Sequence, residues 1–160
     1  MQKKPIQRSP HIVLLSREHH TGLLCCWKIR QGLKKQADTT RIQKYLTYFW
    51  DSHLQQHFGE EEEHLFDTVN DDFCRKALQQ HQQISALINQ VQHSPQPPAP
   101  ELLYLLADQL EAHIRYEERE LFPHLEQVLE EPELKRIGAA LEQSHAGPAK
   151  DNYPDEFWVR

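Results

Sequence analysis

His57-Phe58-Gly59-Glu60-Glu61-Glu62-Glu63-His64-Leu65-Phe66 returns in outline as His113-Ile114-Arg115-Tyr116-Glu117-Glu118-Arg119-Glu120-Leu121-Phe122. Both segments read His-x-x-x-Glu-x-x-x-Leu-Phe, with a second Glu straight after the first. Positions four apart on a helix share a face about one turn apart, so each segment can aim an imidazole and a carboxylate at one point. The face is an apolar one. His57 and Glu61 continue the stripe of Leu46, Trp50, Leu54 and Leu65, and His113 and Glu117 that of Leu103, Leu106, Leu110 and Leu121. A carboxylate turned into a core costs several kcal/mol unless it is paired, or shifts its pKa until it is neutral. A single His/Glu pair is most simply explained as a solvated face or a self-satisfied contact. Two copies with the same Leu-Phe behind them point instead to a shared ligand.

Working outward, helical spacing of apolar residues predicts helices over about 11–35, 41–69, 72–93 and 101–130. Their stripes include Ile12, Leu15, Leu23, Cys26, Ile29 and Leu33 in the first, and Phe73, Ala77, Ile84, Leu87, Ile88 and Val91 in the third. The second adds Phe58, and the fourth adds Leu125 and Val128. Gly32 and Asp38-Thr39-Thr40 break the pattern, with Thr39 or Thr40 a fair N-cap, and Asn70-Asp71-Asp72 offers the next. Ser94-Pro95-Gln96-Pro97-Pro98-Ala99-Pro100 is a stiff connector. A Pro-bearing leader runs to about Pro10, Pro132 starts a short helix to about Ser144, and 146–160 reads as an irregular tail. Short links favour antiparallel neighbours, so the expected fold is all-α: an up-down-up-down four-helix bundle with a short C-terminal helix and irregular tail. The chain reads as one domain over 1–160, with its core at about 11–130.

Histidine is the unusual count, 11 in 160 residues, where ordinary usage gives roughly four. His81 lies on the apolar side of the third helix, with Phe73, Ala77, Ile84 and Ile88. On the first helix His19 falls roughly 20° from the apolar centre and His20 roughly 120° away. His19 is therefore the candidate and His20 its rival, since a small helix rotation exchanges them. Each helix then supplies one core-facing histidine. His19, His57, Glu61, His81, His113 and Glu117 form the candidate metal-ligand set: two His for each of two ions, with the two Glu able to bridge them. Imidazole with carboxylate and no thiolate suits iron, manganese or zinc.

Other readings are blander. His53-x-x-x-His57 could clamp zinc alone, but His53 reads as a flanking or boundary group. His64 and His124 read as surface or helix-end residues, and Glu60, Glu62, Glu63, Glu118 and Glu120 as solvated charges. Tyr45, Tyr48, Trp50 and Tyr116 read as packing, and Pro123 should kink or end local helix hydrogen bonding. Cys25, Cys26 and Cys74 have neither CxxC nor zinc-ribbon spacing and read as small apolar residues in a reducing cytoplasm. The formal charge of -6 lacks the basic footprint of a nucleic-acid protein. No run is apolar enough for a membrane span, and no signal-peptide core follows Met1-Gln2-Lys3-Lys4-Pro5. The aromatic tail residues Tyr153, Phe157 and Trp158 can pack on the same chain or on the partner of a homodimer.

The motifs resemble the hemerythrin or HHE cation-binding family, whose pattern is a His on the first helix, His-x-x-x-Glu on the second, His on the third and His-x-x-x-Glu/Asp on the fourth. The resemblance covers about 11–130 and implies a four-helix bundle with a di-iron centre. Oxygen-carrying members have two histidines on the third helix and a longer spacing on the fourth. With His81 alone, and Glu117 four residues after His113, this chain is more similar to the di-iron proteins linked to repair of iron–sulfur centres. The separate N-terminal domain many of those carry is not in this sequence. The resemblance implies a cytoplasmic stress-response protein that binds or senses O2 or NO, or handles iron. The alternatives are a di-iron enzyme reducing peroxide or NO, and a zinc-filled or metal-free interaction module.

Overall fold

The computed structural model describes residues 8–144 and 151–159. Most of the expected leader, 1–7, together with His145 and residues 146–150 and 160 of the expected tail, lies outside the described residues. These contain five helices and no strand. Helix α1 is Val13–Lys34. Helix α2 is continuous over 39–66 but changes winding: α-helical over Thr39–Phe49 and Gln55–Glu61, π-helical over Trp50–Leu54 and Glu62–Phe66. Helix α3 is Asp72–Gln92. Helix α4 covers 100–128, α-helical over Pro100–Tyr116 and Phe122–Val128, with a π-helical Glu117–Leu121 between. Helix α5 is Glu131–Ser144.

Local chemistry sets the boundaries. Asp38, not Thr39 or Thr40, caps α2 by accepting from the Thr40 N–H, because its carboxylate reaches back over the first turn. Asp71 caps α3 by accepting from the Cys74 N–H. Pro100 starts α4, where no amide donor is needed. Gly32 does not end α1; the chain leaves it at Gln36, which adopts φ 59 while the Ala37 N–H donates to the Gly32 carbonyl. Pro123 does not end α4 either. The π turn before it has re-phased the ladder, and the proline sits in the opening turn of the next α-helical segment.

Helix α1 packs beside α4, α4 beside α3, α3 beside α2, and α2 beside α1. Contacts run in opposite order along neighbours: His19 meets Glu118 while Arg30 meets Asp108, and Glu62 meets His81 while Gln43 meets Val91. Two apolar clusters fill the interior. One gathers Cys26, Ile29, Leu46, Leu54, Ile84, Ile88, Leu106 and Leu110. The other gathers Ile12, Leu15, Leu65, Ala77, Leu121 and Leu125 with Leu134, Ile137 and Leu141 of α5. On each of the four long helices the histidine of interest stands near the junction of the two. Phe73 and Val128, expected in the stripes, are 39% and 49% exposed. Both lie near helix ends, where neighbours no longer cover every face. The tail packs on its own chain: Phe157 is buried against Gly32, and Asp151 accepts from Lys28 and from the Tyr45 hydroxyl.

Candidate metal centre

Between the apolar clusters lie six polar side chains: His19 from α1, His57 and Glu61 from α2, His81 from α3, and His113 and Glu117 from α4. All six are buried, and both glutamates are wholly so. Glu61 Oε1 is 3.3 Å from His57 Nε2 and 3.1 Å from His81 Nε2, and its Oε2 is 3.9 Å from His19 Nε2. Glu117 Oε1 is 3.0 Å from His19 Nε2 and 3.3 Å from His113 Nε2, and its Oε2 is 4.0 Å from His81 Nε2. Four imidazoles thus turn the same ring nitrogen toward two carboxylates.

Burial alone would lower a histidine pKa. At His81 that largest influence is overcome by hydrogen bonds to Glu61 and Glu62, which push the imidazole up to about 9. His19 rises for a similar reason, burial being outweighed by Glu117 and Glu118 together. His57 rises well above its ordinary value, burial yielding to the charges of Glu61 and Glu18. Burial works to raise the Glu117 carboxyl, yet His113, His19 and Glu61 hold it well below the usual range.

The opposite ring nitrogens are held from outside. His19 Nδ1 is 2.7 Å from Glu118, His81 Nδ1 is 3.0 Å from Glu62, and His113 Nδ1 is 2.7 Å from the amide oxygen of Gln80. His57 Nδ1 faces Glu18 at 3.5 Å, an ion-pair separation. A carboxylate or amide oxygen can only accept, so Nδ1 carries the proton and Nε2 can present its lone pair inward. Glu62 and Glu118 are therefore not the plain solvated charges that sequence spacing suggests. Glu18 and Gln80, which directly precede His19 and His81, gave no periodic signal, because residues beside a core-facing position point elsewhere on the wheel.

The π-helical turns explain the Leu-Phe pairs. A bond from the Asp67 N–H to the Glu62 carbonyl widens the turn, as does one from Phe122 to Glu117. Residue i+5 then joins i+4 on the inner face. Leu65 and Phe66, like Leu121 and Phe122, are both buried. Phe122 stacks on His19 with centroids 5.4 Å apart, and Phe66 lies 5.3 Å from His81.

The arrangement offers two overlapping donor sets, His19, His57, Glu61 and Glu117, and Glu61, His81, His113 and Glu117, each with its atoms within 4.8 Å of one another. His57 Nε2, His113 Nε2, Glu61 Oε2 and Glu117 Oε2 are buried without a hydrogen-bond partner. Each such atom costs about 1–3 kcal/mol, and cations shared by the two carboxylates would satisfy all four. The residues fit a pair of metal ions. A cavity of about 360 Å³, walled by Leu54, Phe58, Leu110 and Ile114, reaches His19, His57 and His113.

Among the described residues, the other histidines stay outside this cluster. His20 is exposed. His53 lines the cavity and packs 5.4 Å from the Phe49 ring. His64 stands 4.0 Å from Glu63, and His124 stacks on Phe73 and bonds Asp71. Cys25, Cys26 and Cys74 are buried thiols. Burial pushes Cys26 and Cys74 up to about 12.

The family model of the hemerythrin HHE cation binding domain matches residues 12–125. No curated protein and no solved structure gives a significant match.

Proposed function

The chain belongs to the hemerythrin HHE cation-binding domain family, and from that premise we propose that it is a single-domain, up-down-up-down four-helix bundle holding a dinuclear centre. His19 and His57 would hold one ion and His81 and His113 the other, with Glu61 and Glu117 shared between the two donor sets. Imidazole and carboxylate donors without thiolate suit iron, manganese or zinc, and iron is the metal we assign from the likeness to di-iron members of the family. Bound ions would supply Lewis acidity and coordination positions for a small ligand. The protein supplies the rest. Glu118, Glu62, Gln80 and Glu18 orient the imidazoles, and Phe58, Phe66 and Phe122 pack against them. The cavity gives access to a ligand as small as O2 or NO, which the protein binds or senses, or meets while handling iron under oxidative or nitrosative stress, in the cytoplasm. No described helix is long and apolar enough to cross a membrane.

The observation that carries this reading is the sharing of Glu61 and Glu117 by four inward-facing imidazole nitrogens from four helices. Anaerobic reconstitution with Fe(II) tests it. Two irons per chain and a visible band that responds to O2 or NO are expected. Saturation at one metal, with Glu117→Ala without effect, would overturn it. A redox enzyme would show steady turnover of peroxide or NO with a reductant, whereas an interaction module would show no responsive band.

A further inference from the structure

The six-residue cluster repeats its contacts about an internal two-fold relation. Glu117 and Glu118 of α4 take the two ring nitrogens of His19, at 3.0 and 2.7 Å. Glu61 and Glu62 of α2 do the same for His81, at 3.1 and 3.0 Å. The residue preceding His19, Glu18, faces His57 Nδ1, and the residue preceding His81, Gln80, holds His113 Nδ1. The repeat has one change of charge: a carboxylate at position 18 against an amide at position 80.

Resting on the dinuclear reading above, we propose that this exchange makes the two cation positions unequal, the His19/His57 position binding more tightly because Glu18 backs it and Gln80 does not carry a charge. A carboxylate behind Nδ1–H makes Nε2 a stronger donor to a cation than a neutral amide does. Glu18 stands farther from its histidine, 3.5 Å against 2.7 Å. A full charge, however, acts with the inverse of distance, while a dipole fades faster. The other related pair differs less. Glu118 shares its second oxygen with Arg8 at 3.0 Å, and the Glu62 side chain is 42% exposed to water. Both carboxylates are therefore partly offset. Positions 18 and 80 hold the larger contrast.

Anaerobic titration with Co(II), followed by its visible bands and by calorimetry, reads the two positions separately. The unmodified chain should load in two resolved steps. Glu18→Gln should weaken the tighter step by about 10–100-fold, the range for lost outer partners of ligating histidines. Gln80→Glu should strengthen the weaker step by a similar factor. The double exchange should restore two unequal steps with their order reversed. Paramagnetically shifted Nδ1–H signals of half-loaded protein would then come from His113 rather than His57. Two ions binding in one unresolved step, or both single variants leaving both steps in place, would overturn the inequality alone. One cobalt per chain in every form would overturn the dinuclear reading and this proposal with it.

Discussion

His19 and His81 sit on different helices in matching environments, each with Nε2 on a wholly buried glutamate and Nδ1 on the glutamate that follows it in the chain. An imidazole held at both nitrogens cannot turn, so its inner nitrogen is aimed before any cation arrives. Glu61-Glu62 and Glu117-Glu118 are doubled for that reason: one member faces the centre, and the next reaches around the neighbouring ring.

The first prediction concerns the proposed ligand on α1. His19→Ala should remove one metal equivalent, or weaken it beyond detection, and change the Co(II) spectrum. His20→Ala should leave stoichiometry and spectrum unchanged, because His20 is exposed. Metal analysis after gel filtration distinguishes the two, and loss of metal in His20→Ala alone would reject the assignment of His19.

Metal removal should destabilise the protein. Buried atoms of His57, Glu61, His113 and Glu117 lack hydrogen-bond partners, and bound cations would supply them. Saturation about a thousandfold above Kd adds about 4 kcal/mol, and each kcal/mol moves Tm by about 2–4 °C at this chain length. A rise of about 10 °C on loading is expected by calorimetry. Equal melting of loaded and verified metal-free protein would show that the six groups satisfy one another.

Loading should also expel protons. His81 titrates at about 9, and His19 and His57 are raised too, so at neutral pH metal-free protein holds protons that a cation must displace. Apparent affinity should climb as pH rises from about 6.5 toward 9. The stability that His81 lends the metal-free fold runs oppositely. It is complete below the unfolded pKa and disappears as pH rises through about 9. Calorimetric titration in buffers of different ionisation enthalpy counts the protons, and a count of zero would contradict the paired-imidazolium state.

Asp71 provides a check away from the centre. It caps α3 and accepts from His124, and although burial works against it, these bonds hold its carboxyl below the usual value. Asp71→Ala should cost about 0.5–2 kcal/mol at neutral pH, the range for a lost N-cap. Because the folded pKa is depressed, this contribution is present above the ordinary Asp value and fades as pH falls through the folded one. Urea denaturation of both proteins at pH 7 and pH 3 should show the difference shrinking in acid.

The tail should depend on Gly32. A Cβ there would lie 2.5 Å from Phe157 Cδ2. Gly32→Ala gains about 1 kcal/mol of helix propensity but forces the ring out of place, and overpacking costs about 1–3 kcal/mol. Thermal melting should show a net loss, with faster proteolysis after residue 144. Unchanged cleavage would mean that Phe157 adjusts within its pocket.

Much of this protein was legible without coordinates. Apolar residues at helical intervals set α1 to α4 within a few residues, since burial of one stripe is what stabilises each helix, and Pro132 marked the start of α5. The same stripes drew His19, His57, Glu61, His81, His113 and Glu117 inward, since a four-residue interval dictates a face. What periodicity could not reach was decided in three dimensions. The outer partners Glu18, Glu62, Gln80 and Glu118 sit one residue off the inward face, and only the packing of neighbouring helices shows which rings they meet. The winding of α2 and α4 was equally hidden. A π turn adds one residue to a ladder without changing composition, and it is read only from the bonds the backbone forms. The tail, too, found its place on α1 and α2 through shape: the absent side chain of Gly32 admits Phe157, and a buried lysine and tyrosine meet Asp151. One-dimensional spacing determines which face of a helix is apolar, but contacts between faces depend on how the helices are set against one another.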